Sequence, residues 1–240
     1  MVTMRIANIH CHILYGVDDG ARDGRMMSRM IDSAYRSGVR IICATPHHNP
    51  EYFRCPPRII VERYGEVVSY VTENYHDMIV LLGQEIYCRH DSVNELLAGK
   101  CLSLNRTRNV LVEFGTHADK SEIISGASRF LTSGFVPLIA HAERYDAIRN
   151  NKNIINDLRG IGAKIQINAS SVIGNRGFLT KRFVMSLIKS GLVDVVADDC
   201  HDMNARRPCI GEAYSLVSHK FGAETANELF WENPLRMIGM

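Results

Sequence analysis

The chain has 240 residues, of which 46% are hydrophobic and 22% are charged, so its composition is that of an ordinary globular protein. A chain of this length can bury enough apolar surface to fold without a metal or a disulfide, so a metal site would need a chemical reason. Its 28 Lys and Arg against 26 Asp and Glu give a net charge of +2 without a basic cluster. This balance argues against nucleic acid or an anionic membrane surface as a partner.

The 7 cysteines and the apolar runs indicate the compartment of the protein. The cysteines are scattered, odd in number and contain no C-x-x-C pair, which is typical of reduced thiols in the cytoplasm. The first residues lack the apolar core of a signal peptide, and the apolar runs are too short to cross a bilayer. We therefore expect a cytoplasmic protein without membrane insertion.

Short β-branched runs alternate along the chain with segments of helical periodicity. Seven strands are predicted, in chain order, over 5–11, 39–46, 78–87, 109–115, 135–141, 163–170 and 192–198. Apolar stripes predict helices over 21–38, 59–71, 121–134 and 179–191, and a glycine ends three of them at positions 38, 134 and 191. We expect one α/β domain spanning residues 1–240, and seven units fit a TIM-like barrel lacking one unit better than an open sheet.

The ends of these strands carry metal-binding side chains where turn residues would be expected. The first strand ends His10-Cys11-His12, and strand alternation places both imidazoles on one face and Cys11 on the other. The later strand ends add His47, Glu85, Glu113, His141, Asp199 and His201. Because catalytic groups of such barrels gather where strands end, this recurrence predicts a metal site.

The residue types also indicate which metals the site would hold. Imidazoles and carboxylates without convergent thiolates favour a catalytic site for manganese, iron or zinc, and the number of candidates indicates two or three ions. His48 is kept as an alternative to His47. In the loop after His12, Asp18 and Asp23 are interpreted as solvated turn residues, whereas Asp19 stays open as a ligand. The other histidines, at positions 76, 90, 117 and 219, are interpreted as structural or exposed.

With these residues assembled, the sequence resembles the polymerase and histidinol phosphatase (PHP) family. The matching segments are IHCHILYGVDDGA, ATPHH, GQEIY, VEFG, PLIAHAERY, ADDCH, ARRP and GEAYSLV, in this order. GVDDGA, AHAERY and the fit over nearly the whole chain point, within it, to the bacterial metal-dependent protein-tyrosine phosphatases of capsule and exopolysaccharide assembly. The resemblance implies a distorted (β/α)7 barrel, the PHP fold.

The resemblance also implies a set of three ions, with manganese expected and iron or zinc as alternatives. One ion would be held by His10, His12, Glu85 and Asp199, a second by Glu85, Glu113 and His141, and a third by Asp19, His47 and His201. Arg144 and Arg206 would hold the substrate phosphate. Two positions depart from the family pattern, since Asn8 replaces a common Asp and Asp198 a small residue. Asn8 would support the ligands from behind, and Asp198 should face away from Asp199.

The implied activity is hydrolysis of phosphotyrosine by a metal-activated water, and the expected partner is the tyrosine-rich tail of a bacterial tyrosine kinase that controls capsule production. The alternatives are a phosphatase of histidinol phosphate or another small phosphomonoester, and a metal-stabilised regulatory binding protein. Cys200 and Arg206 have the spacing of a cysteine-dependent phosphatase loop, but the five residues between them contain no glycine, which disfavours a thiol mechanism. An oligomer is left open.

Overall fold

The computed structural model describes residues 4–53 and 55–240, and its central element is a curled parallel sheet. The strands are β1 (Ile6–Cys11), β2 (Val39–Ala44), β3 (His47–His48), β4 (Ile79–Leu82), β5 (Glu85–Tyr87), β6 (Asn109–Glu113), β7 (Val136–Ile139), β8 (Lys164–Asn168) and β9 (Val195–Ala197). They form two sheets, β1-β2-β4 and β3-β5-β6-β7-β8-β9, and neighbouring strands run parallel. All seven predicted strands are confirmed, but two of them are each divided in two.

The division concerns the predicted strands over 39–46 and 78–87. Their first halves, β2 and β4, pair with each other, whereas their second halves, β3 and β5, begin the other sheet. Gly83 lies at the break, where its N–H donates to the carbonyl of Ala44 and an added Cβ would lie 3.0 Å from Leu104 Cδ2. The change of sheet places His47 directly opposite Glu85.

The last strand returns to the first and gives the sheet the shape of a barrel. Asp199 N–H donates to the carbonyl of His10 (2.9 Å), and His12 N–H donates to the carbonyl of Cys200 (3.0 Å). A parallel bridge between Cys11 and Cys200 lies between these two bonds. The result is the predicted distorted seven-unit barrel, with seven strand positions around its circumference.

Helices cover the outside of the sheet. They are α1 (Gly24–Arg36), α2 (Pro57–Asn74), α3 (Ser92–Leu97), α4 (Lys120–Thr132), α5 (Asp146–Asn150), α6 (Asn153–Gly160), α7 (Ala169–Ile173), α8 (Phe178–Lys189), α9 (Ile210–Phe221), α10 (Ala223–Asn227) and α11 (Asn233–Ile238). The four predicted helices correspond to α1, α2, α4 and α8. Gly38 has a φ of 96°, which suits the predicted helix stop. None of the helices in the described ranges has the length and apolar character that a membrane crossing requires.

Two layers of apolar side chains hold the barrel together. The larger layer lies between the strands and the helices, and the smaller one fills the barrel interior with alternate residues such as Ala7, Ile9 and Leu111. Met237 and Ile238 of α11 complete the inner layer, so the C-terminal segment packs against the barrel. Because apolar side chains fill the barrel interior, the candidate ligands have no room there and lie at an end of the strands instead.

Candidate metal centre

A register shift in β1 directs the first two candidate ligands toward the barrel mouth. Ile9 belongs to the inner apolar layer and Cys11 to the outer one, although strict alternation would place both on one face. The pairing of β1 with β2 is irregular between Asn8 and Cys11, which accounts for the change of face. His10 and His12 therefore point the same way, as predicted, with their Nε2 atoms 3.3 Å apart.

All nine predicted ligands lie in one cluster at this end of the strands. Six are buried, namely His10, His12, Glu85, His141, Asp199 and His201. His47 and Glu113 are slightly accessible, and Asp19, on the loop after β1, has a side chain that is 46% exposed. The cluster is thus a buried set of nitrogen and oxygen donors that opens to solvent at Asp19.

The innermost group consists of His10, His12, Glu85 and Asp199, whose donor atoms all lie within 4.8 Å of one another. Glu85 Oε2 lies 3.2 Å from the Nε2 atoms of both His10 and His12. Asp199 Oδ1 lies 3.5 Å and 3.6 Å from the same two nitrogens. These four residues are the ones that the resemblance implied for the first ion.

The second group also contains Glu85, together with His47, Glu113 and His141. His47 Nδ1 lies 3.2 Å from Glu85 Oε2 and 3.1 Å from Glu113 Oε1. His141 Nε2 lies 2.8 Å from Glu85 Oε1 and 3.7 Å from Glu113 Oε2. Glu85 is therefore placed between two groups of donors, where a bridging carboxylate would lie, and His47 contributes beside His141.

The outermost group contains Asp19, His47 and His201, and His12 joins it. Asp19 Oδ1 lies 3.3 Å from the Nε2 atoms of both His47 and His201. His47 thus presents one ring nitrogen to this group and the other to Glu113. The assignment of individual residues to individual ions stays a prediction, since neighbouring groups share His12, His47 and Glu85.

The donor set fits divalent metal ions. His47 Nδ1, Glu85 Oε2 and His201 Nε2 are buried, and none of their close contacts among residues 4–53 and 55–240 has the geometry of a hydrogen bond. Buried polar atoms are rarely left unpaired, and here the unpaired atoms converge with other nitrogen and oxygen donors. Imidazole and carboxylate donors without thiolates suit manganese, iron and zinc.

The electrostatics of the cluster also favour positive charge within it. Burial opposes protonation of His12, but the carboxylate of Asp18 more than offsets this and raises its pKa to about 9. The pKa of His47 is raised to about 11 in the same way by Glu85 and Asp19. Despite its burial, Glu85 has a pKa held well below its usual range by His10 and His47. In metal-free protein, protonated His12 and His47 would supply the positive charge that metal ions supply when bound.

Asp18 contacts two of the candidate ligands, although the sequence predicted no role for it in the site. Its interpretation as a solvated turn residue is wrong, because its carboxylate is fully buried and Oδ2 lies 2.7 Å from His12 Nδ1. The N–H groups of His47 and Gly20 also donate to it. An added Cβ at Gly20 would collide with the carbonyl oxygen and Cβ of His12, so the turn needs glycine. Asp23, by contrast, caps α1 from an exposed position.

Gln166 and Asn168 of β8 form a second support that was not predicted. Gln166 Oε1 lies 3.0 Å from His10 Nδ1 and accepts a hydrogen bond from the backbone N–H of His141. Gln166 Nε2 donates to Asn168 Oδ1, and Asn168 Nδ2 donates to Asp199 Oδ2 at 2.7 Å. Such contacts orient ligands and tune metal affinity. Two alternating amides at the end of a buried strand were the available sequence signal.

Asn8 does not have the role expected for it beside the ligands. Its Oδ1 accepts a hydrogen bond from the backbone N–H of Asp198, and its Nδ2 has no hydrogen-bond partner among the described residues. The support of His10 falls to Gln166 instead. Asp198 faces away from the donor cluster, as predicted, and its Oδ1 accepts from the N–H of Cys209.

Two of the candidate ligands have backbone conformations that L residues rarely adopt. His141 has a φ of 33° and Asp199 a φ of 52°, and each lies two residues beyond the end of its strand, β7 or β9. Such conformations cost of order 1–3 kcal/mol and persist where surrounding structure imposes them, which occurs most often at functional sites. The strain redirects each side chain toward the cluster after regular strand alternation has ended.

Arg144 and Arg206 lie at the rim of the cluster. Arg206 donates to Asp199 Oδ1 at 3.0 Å and to Asp19 Oδ2 at 3.2 Å. A terminal nitrogen of Arg144 lies 3.5 Å from Asp199 Oδ2. Both guanidinium groups are partly exposed, so each can also face an anion that enters the mouth. A guanidinium can bind two phosphate oxygens at once, which suits this position.

The thiol of Cys200 is not available as a nucleophile. It is buried, and hydrogen bonding with Cys11 together with burial raises its pKa well above the usual range. Thiolates are the reactive species, so a buried neutral thiol is inert. His48, the alternative to His47, contacts Glu95 at 3.0 Å and lies outside the three donor groups.

The fold and this cluster define a barrel of parallel strands with a candidate metal site at its mouth. The sequence profile described as "Capsular polysaccharide synthesis, CpsB/CapC" matches residues 6–239. The chain is 34% identical to the tyrosine-protein phosphatase CpsB of Streptococcus pneumoniae over 236 residues, 96% of this chain and 97% of that protein. It is 33% identical to the tyrosine-protein phosphatase YwqE of Bacillus subtilis, over 90% of this chain and 85% of that protein. The chain therefore belongs to the CpsB/CapC family.

Solved structures agree with this membership. A structure from the work on YwqE of Bacillus subtilis and CpsB of Streptococcus pneumoniae, described as unique metal-dependent tyrosine phosphatases, superposes with a TM-score of 0.89 at 32% identity. It covers 98% of this chain and 94% of its own. A histidinol phosphate phosphatase from Lactococcus lactis superposes with a TM-score of 0.61 at 13% identity, over 95% of this chain and 97% of its own, and shares the fold alone.

Proposed function

We propose that this chain is a metal-dependent protein-tyrosine phosphatase. The observation that carries the proposal is the convergence of nine nitrogen and oxygen donors on one mouth of the barrel, with two arginines at the rim. Its relatives in the CpsB/CapC family are named tyrosine-protein phosphatases, and the superposed structure is described as metal-dependent. The donors and arginines together suit a phosphate ester.

Different residues of the chain would bind the metal ions, orient the ligands and bind the phosphate. His10, His12, Asp19, His47, Glu85, Glu113, His141, Asp199 and His201 would hold two or three divalent ions, with manganese proposed and iron or zinc as alternatives. Such ions, when bound, activate water and neutralise phosphoryl charge. Asp18, Gln166 and Asn168 would fix the orientation of the ligands. Arg144 and Arg206 would hold the phosphoryl oxygens in line for attack.

The leaving group explains why the site needs no strong general acid. A phenolate has a pKa near 10, so it departs from phosphorus without the full protonation that an alkoxide needs. No protein nucleophile is required, in agreement with the buried thiol of Cys200. A phosphotyrosine side chain is also long enough to bring its phosphate to a cluster that is mostly buried.

We further propose that the substrate is the tyrosine-rich tail of a bacterial tyrosine kinase that controls capsule or exopolysaccharide production, and that residues 1–240 act as one cytoplasmic phosphatase domain. The family description, which names capsular polysaccharide synthesis, supports the pathway. All seven cysteines are free, and five of them are buried, which suits a reducing compartment.

The decisive experiment measures phosphate release by purified protein loaded with manganese. Phosphotyrosine peptides and histidinol phosphate are compared at equal concentration, before and after chelation, together with elemental analysis. We expect phosphotyrosine hydrolysis that chelation abolishes, and at least two ions per chain. A clear preference for histidinol phosphate would favour the small phosphomonoester alternative. Failure of the metal-loaded protein to hydrolyse any phosphomonoester would favour a regulatory binding protein.

A further inference from the structure

A small cleft beside the metal centre carries three positive charges. It has a volume of about 190 Å3 and is lined by Thr116, Arg144, Arg149, Ser171, Arg176 and Thr180. Arg144 follows β7, Arg149 lies in the last turn of α5, and Arg176 lies between α7 and α8. Three separate segments therefore bring guanidinium groups to one opening, where hydroxyl groups accompany them.

Two of these arginines have no anionic partner in the protein. Arg149 and Arg176 are exposed, and neither side chain forms an ion pair or a hydrogen bond with residues 4–53 or 55–240. Arg144, which also lines the cleft, does have an acidic neighbour, since a terminal nitrogen lies 3.5 Å from Asp199 Oδ2. Unpaired like charges that line one cleft are complementary to an anion from outside.

The carboxylate of this cleft does not neutralise the arginines. Glu143 also lines the cleft but is buried, and its Oε1 accepts hydrogen bonds from the N–H of Asn168 and the hydroxyl of Ser171. Its side chain thus joins the turn after β7 to the end of β8 and to α7. The net charge presented to solvent by the cleft is positive.

Arg144 joins this cleft to the metal centre. Its guanidinium lies 3.5 Å from Asp199 Oδ2, and it lines the cleft as well. We propose that the cleft binds an anionic side chain of the substrate peptide next to the phosphotyrosine, namely a carboxylate or a second phosphate. This inference rests on the proposed phosphatase function. It adds that the enzyme prefers substrate peptides with an anionic residue beside the phosphotyrosine.

The test compares peptides that differ only beside the phosphotyrosine, flanked by glutamine, by glutamate or by phosphoserine. The value of kcat/KM is measured for the metal-loaded wild type, for the double variant Arg149→Gln/Arg176→Gln, and for Arg29→Gln, which removes an exposed arginine of α1 away from the cleft. One exposed ion pair strengthens binding by up to about five-fold. With two arginines, we expect the kcat/KM of the wild type to be roughly ten-fold higher for a peptide with a flanking anion than for the glutamine peptide.

The expected result is that wild type and Arg29→Gln prefer a flanking anion, that the double variant loses the preference, and that added salt weakens it. Preference for glutamate identifies a carboxylate as sufficient, and preference for phosphoserine alone identifies a phosphate. Equal rates for all peptides in the wild type, or a preference that survives in the double variant, would overturn the inference while leaving the phosphatase function intact. Absence of hydrolysis of every peptide would overturn both.

Discussion

Glu85 lies opposite His47 in the parallel pairing of β5 with β3, and its Oε2 is 3.2 Å from His47 Nδ1. The same oxygen lies 3.2 Å from the Nε2 atoms of both His10 and His12. One buried carboxylate is therefore shared by imidazoles from two strands of the barrel and from the first loop.

Replacing Glu85 by Gln is expected to abolish metal-dependent hydrolysis. The amide keeps the shape of the side chain but removes the negative charge that a bridging position needs, so at least one ion per chain should be lost. Phosphotyrosine hydrolysis should fall by more than about 100-fold, since clustered ions contribute several kcal/mol to the transition state. Elemental analysis and initial rates measure both effects. Glu95→Gln, which removes a carboxylate beside His48, is the control, and equal losses in the two variants would contradict the bridging role.

Asp18→Asn tests the support that the turn after β1 provides. His12 would lose the carboxylate at its Nδ1, and metal affinity should weaken by about 10- to 100-fold, as is typical when a carboxylate behind a histidine ligand is removed. Activity measured against manganese concentration reports this shift. Asp23→Asn, in the same loop but at the exposed cap of α1, should leave the manganese requirement unchanged. An unchanged requirement in Asp18→Asn would show that its contact with His12 has no role in binding.

Cys200→Ser distinguishes metal from thiol chemistry. The thiol is buried beside Cys11 and has a raised pKa, so its replacement should preserve a substantial part of the activity. Chelation should abolish the activity of both the wild type and the variant. The reverse pattern, an inactive variant and a wild type that resists chelation, would point to a covalent thiol mechanism.

Metal binding should release protons near neutral pH. Asp18 raises the pKa of His12 to about 9, and Glu85 and Asp19 raise that of His47 to about 11, so both rings are protonated at pH 7 in metal-free protein. A ligand imidazole must be neutral, and manganese affinity should therefore rise as the pH increases toward 9. Calorimetry in two buffers of different ionisation enthalpy would detect the released protons. Identical binding enthalpies in the two buffers would contradict the prediction.

Asp198 should make the metal-free protein less stable as the pH rises. Burial raises its pKa from 3.8 to about 7, so the folded state favours the protonated form. The resulting stability is present below about pH 4 and is lost as the pH rises through 7. At pH 8, Asp198→Asn should therefore increase the free energy of unfolding, by up to about 4 kcal/mol. Urea unfolding of chelated protein at pH 5 and pH 8 measures the difference, which should be smaller at pH 5.

Much of the site was predictable because the candidate ligands follow recognisable strands. His10 and His12 end the first β-branched run, and Asp199 and His201 follow the last one, so parallel strand order alone places them at a common edge. Asp18 was not predictable, because the sequence GVDDGA reads as a solvated turn whether its first carboxylate points outward or inward. Gln166 and Asn168 were missed because amides in a strand carry no chemical signature until their neighbours are known.

The sequence by itself determined the seven strand positions, the four predicted helices and the types of donor at the strand ends, since these depend on local periodicity and residue chemistry. The tertiary structure decided which donors share a group and how they are supported. The shift in β1 changes the face of His10, the break at Gly83 sets Glu85 beside His47, and the left-handed conformations of His141 and Asp199 turn both side chains inward. Each feature depends on contacts between segments far apart in the chain, and local periodicity cannot predict such contacts.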